Sequence, residues 1–160
     1  MGSVMKYVVL VIIIVLVVMY INKSANNKKA AFENIAISKD FLTKNKAVEG
    51  VIETASGLQY QVLEKGEGTV HPTSKTKVKV HYHGSLVDGR VFDSSVDRGE
   101  PISFGLNKVI PGWTEGVQLM VVGDKFKFFI PASLGYGNSS SGIITPGSLL
   151  IFEVTLLEIQ

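Results

Sequence analysis

The sequence contains no cysteine and carries almost no net charge. None of its 160 residues is Cys, which excludes disulfide frameworks, thiolate zinc sites and cysteine nucleophiles. Its 16 Lys and Arg and 14 Asp and Glu give a formal net charge of +2. The chain therefore lacks the strongly basic character typical of nucleic-acid-binding proteins. A chain of this length is expected to hold one globular domain with an appendage.

A long apolar run lies near the N-terminus. Residues 7–21 read YVVLVIIIVLVVMYI. Counted from Val4, with Lys6 reaching toward the membrane surface, the segment has 18 residues. As a helix it is roughly 27 Å long, close to a hydrocarbon core of about 30 Å. We predict a transmembrane anchor at 1–22, favoured over a cleaved signal peptide because a small-x-small cleavage site is missing.

Residues 23–56 are predicted to form a juxtamembrane linker and an amphipathic helix. The stretch 22–31 (NKSANNKKAA) is polar and is interpreted as the linker. Residues 32–47 suit a helix that offers Phe32, Ile35, Phe41 and Leu42 for packing, with Gly50 beyond its end. We interpret this helix as a stalk; the alternative is a self-association surface that forms a homodimer.

Short β-like segments dominate from residue 57 onward. Strands are predicted at 58–63, 78–86, 125–130 and 148–159, with a further strand starting at Arg90 after the Asp88-Gly89 turn signal. Residues 114–120 predict a brief helix with Thr114 as a candidate N-cap. Alternation at 125–130 (KFKFFI) directs Phe126 and Phe128 to the core and the lysines to solvent.

These elements predict an α+β fold over residues 57–160. An antiparallel sheet would be covered on one face by the brief helix, with the linker helix and the transmembrane helix preceding it.

Three sequence blocks carry the functional signal. The first is VHYHG at 80–84, followed by VFDSS at 91–95. The second is VIPGW at 109–113, and the third runs from IP at 130–131 through LGYG at 134–137 and GII at 142–144 to the strand LIFEV at 150–154. Their order and spacing resemble the FKBP-type peptidyl-prolyl cis-trans isomerases. The segment upstream of residue 60 is similar to the bacterial macrophage-infectivity-potentiator branch of that family.

The resemblance implies an isomerase domain with an antiparallel sheet around one short helix and a pocket for a proline ring. Trp113 would form the pocket floor, and Tyr136 would hydrogen-bond a substrate carbonyl. Asp93 would orient Tyr82 at the edge. The implied catalytic residues are Tyr82, Phe92, Asp93, Trp113, Tyr136 and Phe152, and the implied ligand-binding residues are Ile102, Phe104, Val109, Ile110, Ile143 and Ile144.

The implied activity is isomerisation of X-Pro bonds in unfolded or extended polypeptides, with tacrolimus and rapamycin as inhibitors and no cofactor or metal. Twisting an X-Pro amide breaks resonance without making a bond, so a dry aromatic pocket suits the task. Ile102 stands where the family often has an aromatic residue, and we expect altered ligand affinity there. The alternative function is a chaperone or binding module that holds proline-containing segments with little turnover.

Individual residues also have plainer interpretations. Trp113 alone is more often a core residue, and Asp93 could cap a turn. His81 and His83 share a strand face, but no third ligand follows at suitable spacing, so we predict no metal site.

The location of the domain depends on the anchor's orientation. Lysines at 23, 28 and 29 weakly favour a cytoplasmic domain by the positive-inside rule. The family resemblance implies the periplasmic face of a bacterial inner membrane, and we adopt that prediction.

Overall fold

The computed structural model describes residues 2–160; Met1, the first residue of the predicted anchor, lies outside this range. The helices are α1 (Gly2–Asn45), α2 (Ser95–Arg98) and α3 (Pro111–Val117). The strands are β1 (Val51–Glu53), β2 (Gln59–Glu64), β3 (Lys77–Leu86), β4 (Val91–Ser94), β5 (Ile102–Gly105), β6 (Lys125–Ile130) and β7 (Leu150–Ile159). Short 3₁₀ turns occupy Leu106–Lys108 and Ala132–Leu134.

The strands form one antiparallel sheet in the order β1-β2-β6-β7-β3-β4. The two ten-residue strands, β3 and β7, pair along nearly their whole length, and β4 and β5 share the other edge of β3. Side chains alternate between buried and partly exposed along both long strands, as expected when one sheet face covers a core. The predicted α+β fold with an antiparallel sheet is therefore confirmed.

Helix α3 packs closely on the core face of β6 because two of its residues are glycines. A Cβ at Gly112 would lie 2.6 Å from Ile130 Cγ2, and one at Gly116 would lie 2.6 Å from Phe128 Cε1. Both distances are shorter than real carbon contacts. The close approach buries Trp113 to 5% exposure, which sets its indole at the centre of the domain.

The beginning of α3 differs from the prediction. The helix starts at Pro111, which occupies the first turn, where proline's missing N–H costs nothing. Thr114 is not an N-cap, because it lies inside the helix and its Oγ1 donates to the Leu106 carbonyl at 2.5 Å. The predicted helix at 114–120 is therefore wrong in its start, its end and its cap, although a short helix is present.

The N-terminal region is one continuous helix rather than two helices joined by a linker. Residues 22–31, expected to be a polar linker, are helical throughout. Side chains from Met5 to Ile21 are all exposed, over about 26 Å of helix. Within the described residues, α1 is the one helix long and apolar enough to cross a membrane, and none of its apolar stretch is buried.

The C-terminal part of α1 packs on the sheet. The ring of Phe41 lies 5.8 Å from that of Phe129 on β6, and Gln59 on β2 donates to the Leu42 carbonyl at 2.9 Å. The predicted alternation in β6 is confirmed for Phe126 and Phe128, which are buried. Its opposite face is not wholly solvated, however, because α1 covers Phe129.

Candidate functional site

A cavity of about 660 Å³ opens beside α3. All twelve residues singled out in the sequence contribute to its wall. They come from five of the strands and helices and from two loops. The lining residues are Tyr82, Phe92, Asp93, Ile102, Phe104, Lys108, Val109, Ile110, Trp113, Tyr136, Ser141, Gly142, Ile143, Ile144 and Phe152.

The indole of Trp113 is the centre of an aromatic cluster. Its ring centroid lies 5.4 Å from Tyr82, 5.4 Å from Phe104 and 5.1 Å from Phe152, with the rings tilted by 86°, 64° and 89°. Such edge-to-face pairs each contribute about 0.5–1.5 kcal/mol beyond burial. The cluster therefore gives the cavity a rigid, apolar floor.

The aromatic wall beside Trp113 depends on a glycine in β3. Phe92 and Phe152 meet at 5.2 Å with their rings at 81°. Gly84 lies directly beneath them: a Cβ there would come within 2.6 Å of Phe92 Cε2 and 2.8 Å of Phe152 Cε1. The absence of a side chain at Gly84 allows both rings to approach the strand closely.

The loop between β6 and β7 completes the cavity on its solvent side. On this loop Tyr136 is 40% exposed and Ile143 is 41% exposed. Ile144 is buried at 3% exposure and pairs through backbone hydrogen bonds of 2.9 Å with Ser141. Exposed side chains at this rim remain available to a ligand, whereas the floor is already packed.

A polar network closes one edge of the cavity. The Tyr82 hydroxyl donates to Asp93 Oδ2, and the Arg98 guanidinium donates to Asp93 Oδ1. A second Arg98 nitrogen donates to the Tyr82 hydroxyl oxygen at 3.1 Å, and the guanidinium lies 5.9 Å from the centre of the Tyr82 ring. Both carboxylate oxygens of Asp93 are therefore occupied.

Local backbone structure brings these three groups together. Ser94 ends β4 and caps α2, its hydroxyl accepting from the Asp97 N–H at 3.1 Å. Ser95 is fully buried, and its hydroxyl accepts from the Tyr82 N–H at 2.8 Å. The capped turn of helix returns Arg98 toward Asp93. The capping role falls to Ser94, so Asp93 is left free to face the cavity.

The network shifts the ionisation of its members. Burial, followed by the hydrogen bond to Asp93, raises the pKa of Tyr82. Burial alone would raise the pKa of Asp93, but hydrogen bonds from Tyr82 and Arg98 outweigh it and hold that pKa below its usual value. The hydrogen bond of Arg98 to Tyr82, followed by its hydrogen bond to Asp93, raises the pKa of Arg98. At neutral pH the edge therefore carries a phenol, a carboxylate and a guanidinium.

Arg98 is the functional candidate that sequence reasoning missed. It follows Asp93 by five residues across the junction between β4 and α2, a spacing that neither helical nor strand periodicity brings together. Its neighbours Ser94 and Ser95, as potential caps before a short polar segment, are the sequence signal that could have indicated the turn. Lys108, Ser141 and Gly142 also line the cavity and were not predicted.

The two histidines on β3 are engaged in hydrogen bonds. His81 Nδ1 lies 2.9 Å from Ser95 Oγ, and His83 Nδ1 lies 3.0 Å from Ser94 Oγ. These contacts give both imidazoles a structural partner at the β3–α2 contact.

Comparison with known proteins identifies the family of this chain. Residues 68–157 match the family described as FKBP-type peptidyl-prolyl cis-trans isomerase, and residues 14–62 match the domain amino-terminal to it. The isomerase FkpA of Aeromonas hydrophila is 54% identical over 136 residues, which are 85% of this chain and 50% of that protein. Outer membrane protein MIP of Legionella longbeachae is 42% identical, over 86% of this chain and 59% of that protein.

The structural likeness is equally broad. The crystal structure of FkpA from Escherichia coli superposes with a TM-score of 0.82 at 43% identity, covering 86% of this chain and 64% of that one. The chain spans about half the length of the curated relatives it matches. Since the family match covers more than half of this chain, the predicted resemblance is confirmed: the chain belongs to the FKBP-type peptidyl-prolyl cis-trans isomerase family.

Proposed function

We propose that this chain catalyses cis-trans isomerisation of X-Pro bonds in proline-containing, unfolded or extended polypeptides. The observation that carries the proposal is the aromatic cavity above Trp113, bounded at one edge by the Asp93–Tyr82–Arg98 network. Its apolar floor suits a proline ring, and its polar groups lie at the rim, where the amide of a bound peptide would be.

The reaction needs only that the twisted amide be bound more tightly than the planar one. The rotation barrier is about 18–20 kcal/mol because twisting breaks amide resonance. Binding energy that appears only in the twisted state lowers this barrier without any covalent step. Removing water from around the amide contributes in the same direction, since polar solvent stabilises the planar, charge-separated form.

Each lining residue has a role consistent with its surroundings. Trp113, Phe92 and Phe152 exclude water and contact the ring. Tyr136 is the exposed hydroxyl available to donate to a substrate carbonyl. The Tyr82 hydroxyl already donates to Asp93, so we assign Tyr82 to the wall and Asp93 to the electrostatic field at the amide.

A protease-coupled assay on a proline-containing tetrapeptide 4-nitroanilide tests the activity. The full chain in detergent micelles is compared with Asp93→Ala and Trp113→Leu variants. We expect isomerisation well above the uncatalysed rate for the parent chain and at least tenfold slower for either variant. Asp93 is about half exposed, so Asp93→Ala is expected to fold. An uncatalysed rate with the parent chain would contradict the proposal.

Macrolides are proposed as inhibitors that compete for the same cavity. Trp113 is the only tryptophan in the chain and lines the cavity, so its fluorescence reports occupancy directly. We expect tacrolimus to change the emission saturably and to inhibit isomerisation with the same midpoint. Because Ile102 replaces the aromatic residue frequent in the family, Ile102→Tyr is expected to change that midpoint without changing the melting temperature.

We also propose that α1 anchors the isomerase unit, residues 57–160, to the periplasmic face of a bacterial inner membrane. Segment 1–22 would span the bilayer, and 23–56, which includes the edge strand β1, would connect it to the domain. The exposed apolar side chains over Met5 to Ile21 support the anchor, and the match to an outer membrane protein supports an extracytoplasmic setting. A reporter fused after Gln160 that is active only in the cytoplasm would contradict the orientation.

A homodimer through the exposed side chains of α1 is the remaining proposal. Phe32 and Ile35, three positions apart on one face of the helix, are exposed by 78% and 51%. Sedimentation of residues 22–160 measures it: a dimer that dissociates on Phe32→Ser substitution is expected, and a monomer at all concentrations would refute it.

A further inference from the structure

Helix α1 is hydrogen-bonded to the loop that precedes β7. The Asn34 side-chain amide donates to Thr145 Oγ1 at 2.8 Å and to the Pro146 carbonyl at 2.7 Å. Both of its N–H groups are therefore used on one loop, residues 145–147, which lies 111 positions away in the chain. A single side chain of the N-terminal helix holds two consecutive residues of this loop.

The third residue of the 145–147 loop touches the backbone of α1. Gly147 has φ +77°, and a Cβ there would lie 2.6 Å from the Ala31 carbonyl oxygen and 3.0 Å from Ala31 Cα. Ser38, buried at 7% exposure, donates to the Gly147 carbonyl at 3.4 Å. Helix and loop are thus in direct backbone contact, which only glycine at position 147 permits.

The same loop leads to the cavity by two routes. The Gly147 N–H donates to the Gly137 carbonyl at 2.8 Å, and Gly137 directly follows the rim residue Tyr136. In the other direction, Ile143 and Ile144 immediately precede Thr145. Tyr136, Ile143 and Ile144 are therefore connected to the 145–147 loop, which is held in place by its contacts with α1.

We propose that Asn34 is a positioning residue for the cavity, acting through the 145–147 loop on Tyr136, Ile143 and Ile144. The proposal rests on the proposed isomerase activity. When the two hydrogen bonds of Asn34 are intact, the loop is ordered before substrate arrives. Substrate binding then does not have to supply the free energy needed to order the loop. Loss of the bonds would weaken substrate binding, while the groups at the floor and at Asp93 would still act on whatever binds.

The matched pair Asn34→Asp and Asn45→Asp tests this in the full chain in detergent micelles. Asn45 lies on the same helix and also donates across to the domain, to Gln59 Oε1 at 2.9 Å, but it contacts no cavity loop. Each substitution keeps the side-chain shape, removes both amide donors and adds one negative charge. We expect Asn34→Asp to raise KM about three- to tenfold with kcat nearly unchanged, and Asn45→Asp to leave both within twofold of the parent.

A binding measurement separates this inference from the activity itself. Titration of Trp113 fluorescence with the tetrapeptide gives a Kd without turnover, and Asn34→Asp is expected to raise it by the same factor as KM. If Asn34→Asp and Asn45→Asp have the same KM and the same Kd, the inference is overturned, even when both variants are fully active. Absence of activity in the parent chain would instead refute the proposed function.

A second variant keeps the inference testable if Asn34→Asp does not fold. Asparagine tolerates positive φ better than other side chains, so the main effect of Gly147→Asn is the collision with Ala31. The same rise in KM and Kd is expected from it, and values equal to those of Asn45→Asp would again overturn the inference.

Discussion

Replacing Gly84 by alanine should impair the cavity without replacing any side chain that contacts substrate. Gly84 is not among the glycines with positive φ, so its backbone accommodates alanine. The new methyl group would sit 2.6–2.8 Å from ring atoms of Phe92 and Phe152, where ordinary carbon contacts are 3.4 Å or longer. The rings must therefore retreat by about 0.8 Å at the closest contact.

The expected size of the effect follows from that displacement. Overpacking of a core by one methyl costs about 1–3 kcal/mol, and the reduced freedom of the unfolded chain returns about 0.4–1 kcal/mol. A net loss of roughly 0–2.6 kcal/mol in the free energy of unfolding should lower the melting temperature by at most about 10 °C. Since misplacement near 1 Å in a site can cost up to about a hundredfold in rate, we expect kcat/KM to fall at least tenfold.

Gly105→Ala is the matched control. Gly105 has φ −79°, and a Cβ there would approach only Asn107 Oδ1 closely, at 2.8 Å, the end of a side chain that can rotate away. The protease-coupled assay and thermal unfolding are run on both variants. We expect the control to keep kcat/KM within twofold. Parent-like kcat/KM in Gly84→Ala would refute the claim that the positions of Phe92 and Phe152 set the activity.

Three further outcomes are expected. Arg98→Met removes the guanidinium from the cavity edge and should lower kcat/KM by about two- to fivefold with an unchanged melting temperature; a parent-like rate would mean that the network is not used. Because the pKa of Asp93 is held below its usual value, its contribution to stability is complete above about pH 3.9 and is lost only as pH falls through the lower folded pKa. In Arg98→Met the pKa of Asp93 should be lowered less, so the contribution of Asp93 to stability should be lost at a higher pH than in the parent chain. Identical pH–stability profiles for the two proteins would contradict the assignment. Asp124 is buried and accepts hydrogen bonds from two backbone N–H groups at 2.7 and 2.8 Å. Asp124→Ala should therefore lower the free energy of unfolding, measured in urea, by about 1–3 kcal/mol and leave kcat/KM unchanged. Loss of activity without loss of stability would contradict this prediction.

The sequence predicted the residues that line the cavity better than those that position them. All twelve candidate residues line one cavity because the motif blocks carry them in an order that the sheet topology brings together. Arg98 escaped notice since its pairing with Asp93 depends on the capped turn at Ser94, a three-dimensional feature with no period. Gly84 stands in the first motif block, but no role could be assigned to it from the sequence, because its importance lies in the two rings above it.

Secondary structure was predicted least well where elements are short or where tertiary contacts decide. Strands β1 and β5 have three and four residues, too few to show alternation. Helix α1 runs through the polar stretch that was expected to be a linker. The sequence holds a signal for this, since no glycine or proline occurs between Gly2 and Gly50, and both are the usual helix breakers. Contacts of Asn34 and Phe41 with the domain then stabilise the last turns.

Protease-free exchange NMR on a proline-containing peptide tests the central claim most directly. Magnetisation exchange between the cis and trans signals measures the interconversion rate while chemical-shift changes report binding. Without catalysis, interconversion takes tens to hundreds of seconds. We predict that substoichiometric full-length chain makes exchange readily observable, and that Asp93→Ala slows it at least tenfold. A peptide that binds the cavity while exchanging at the uncatalysed rate would contradict the account and identify the domain as a binding module.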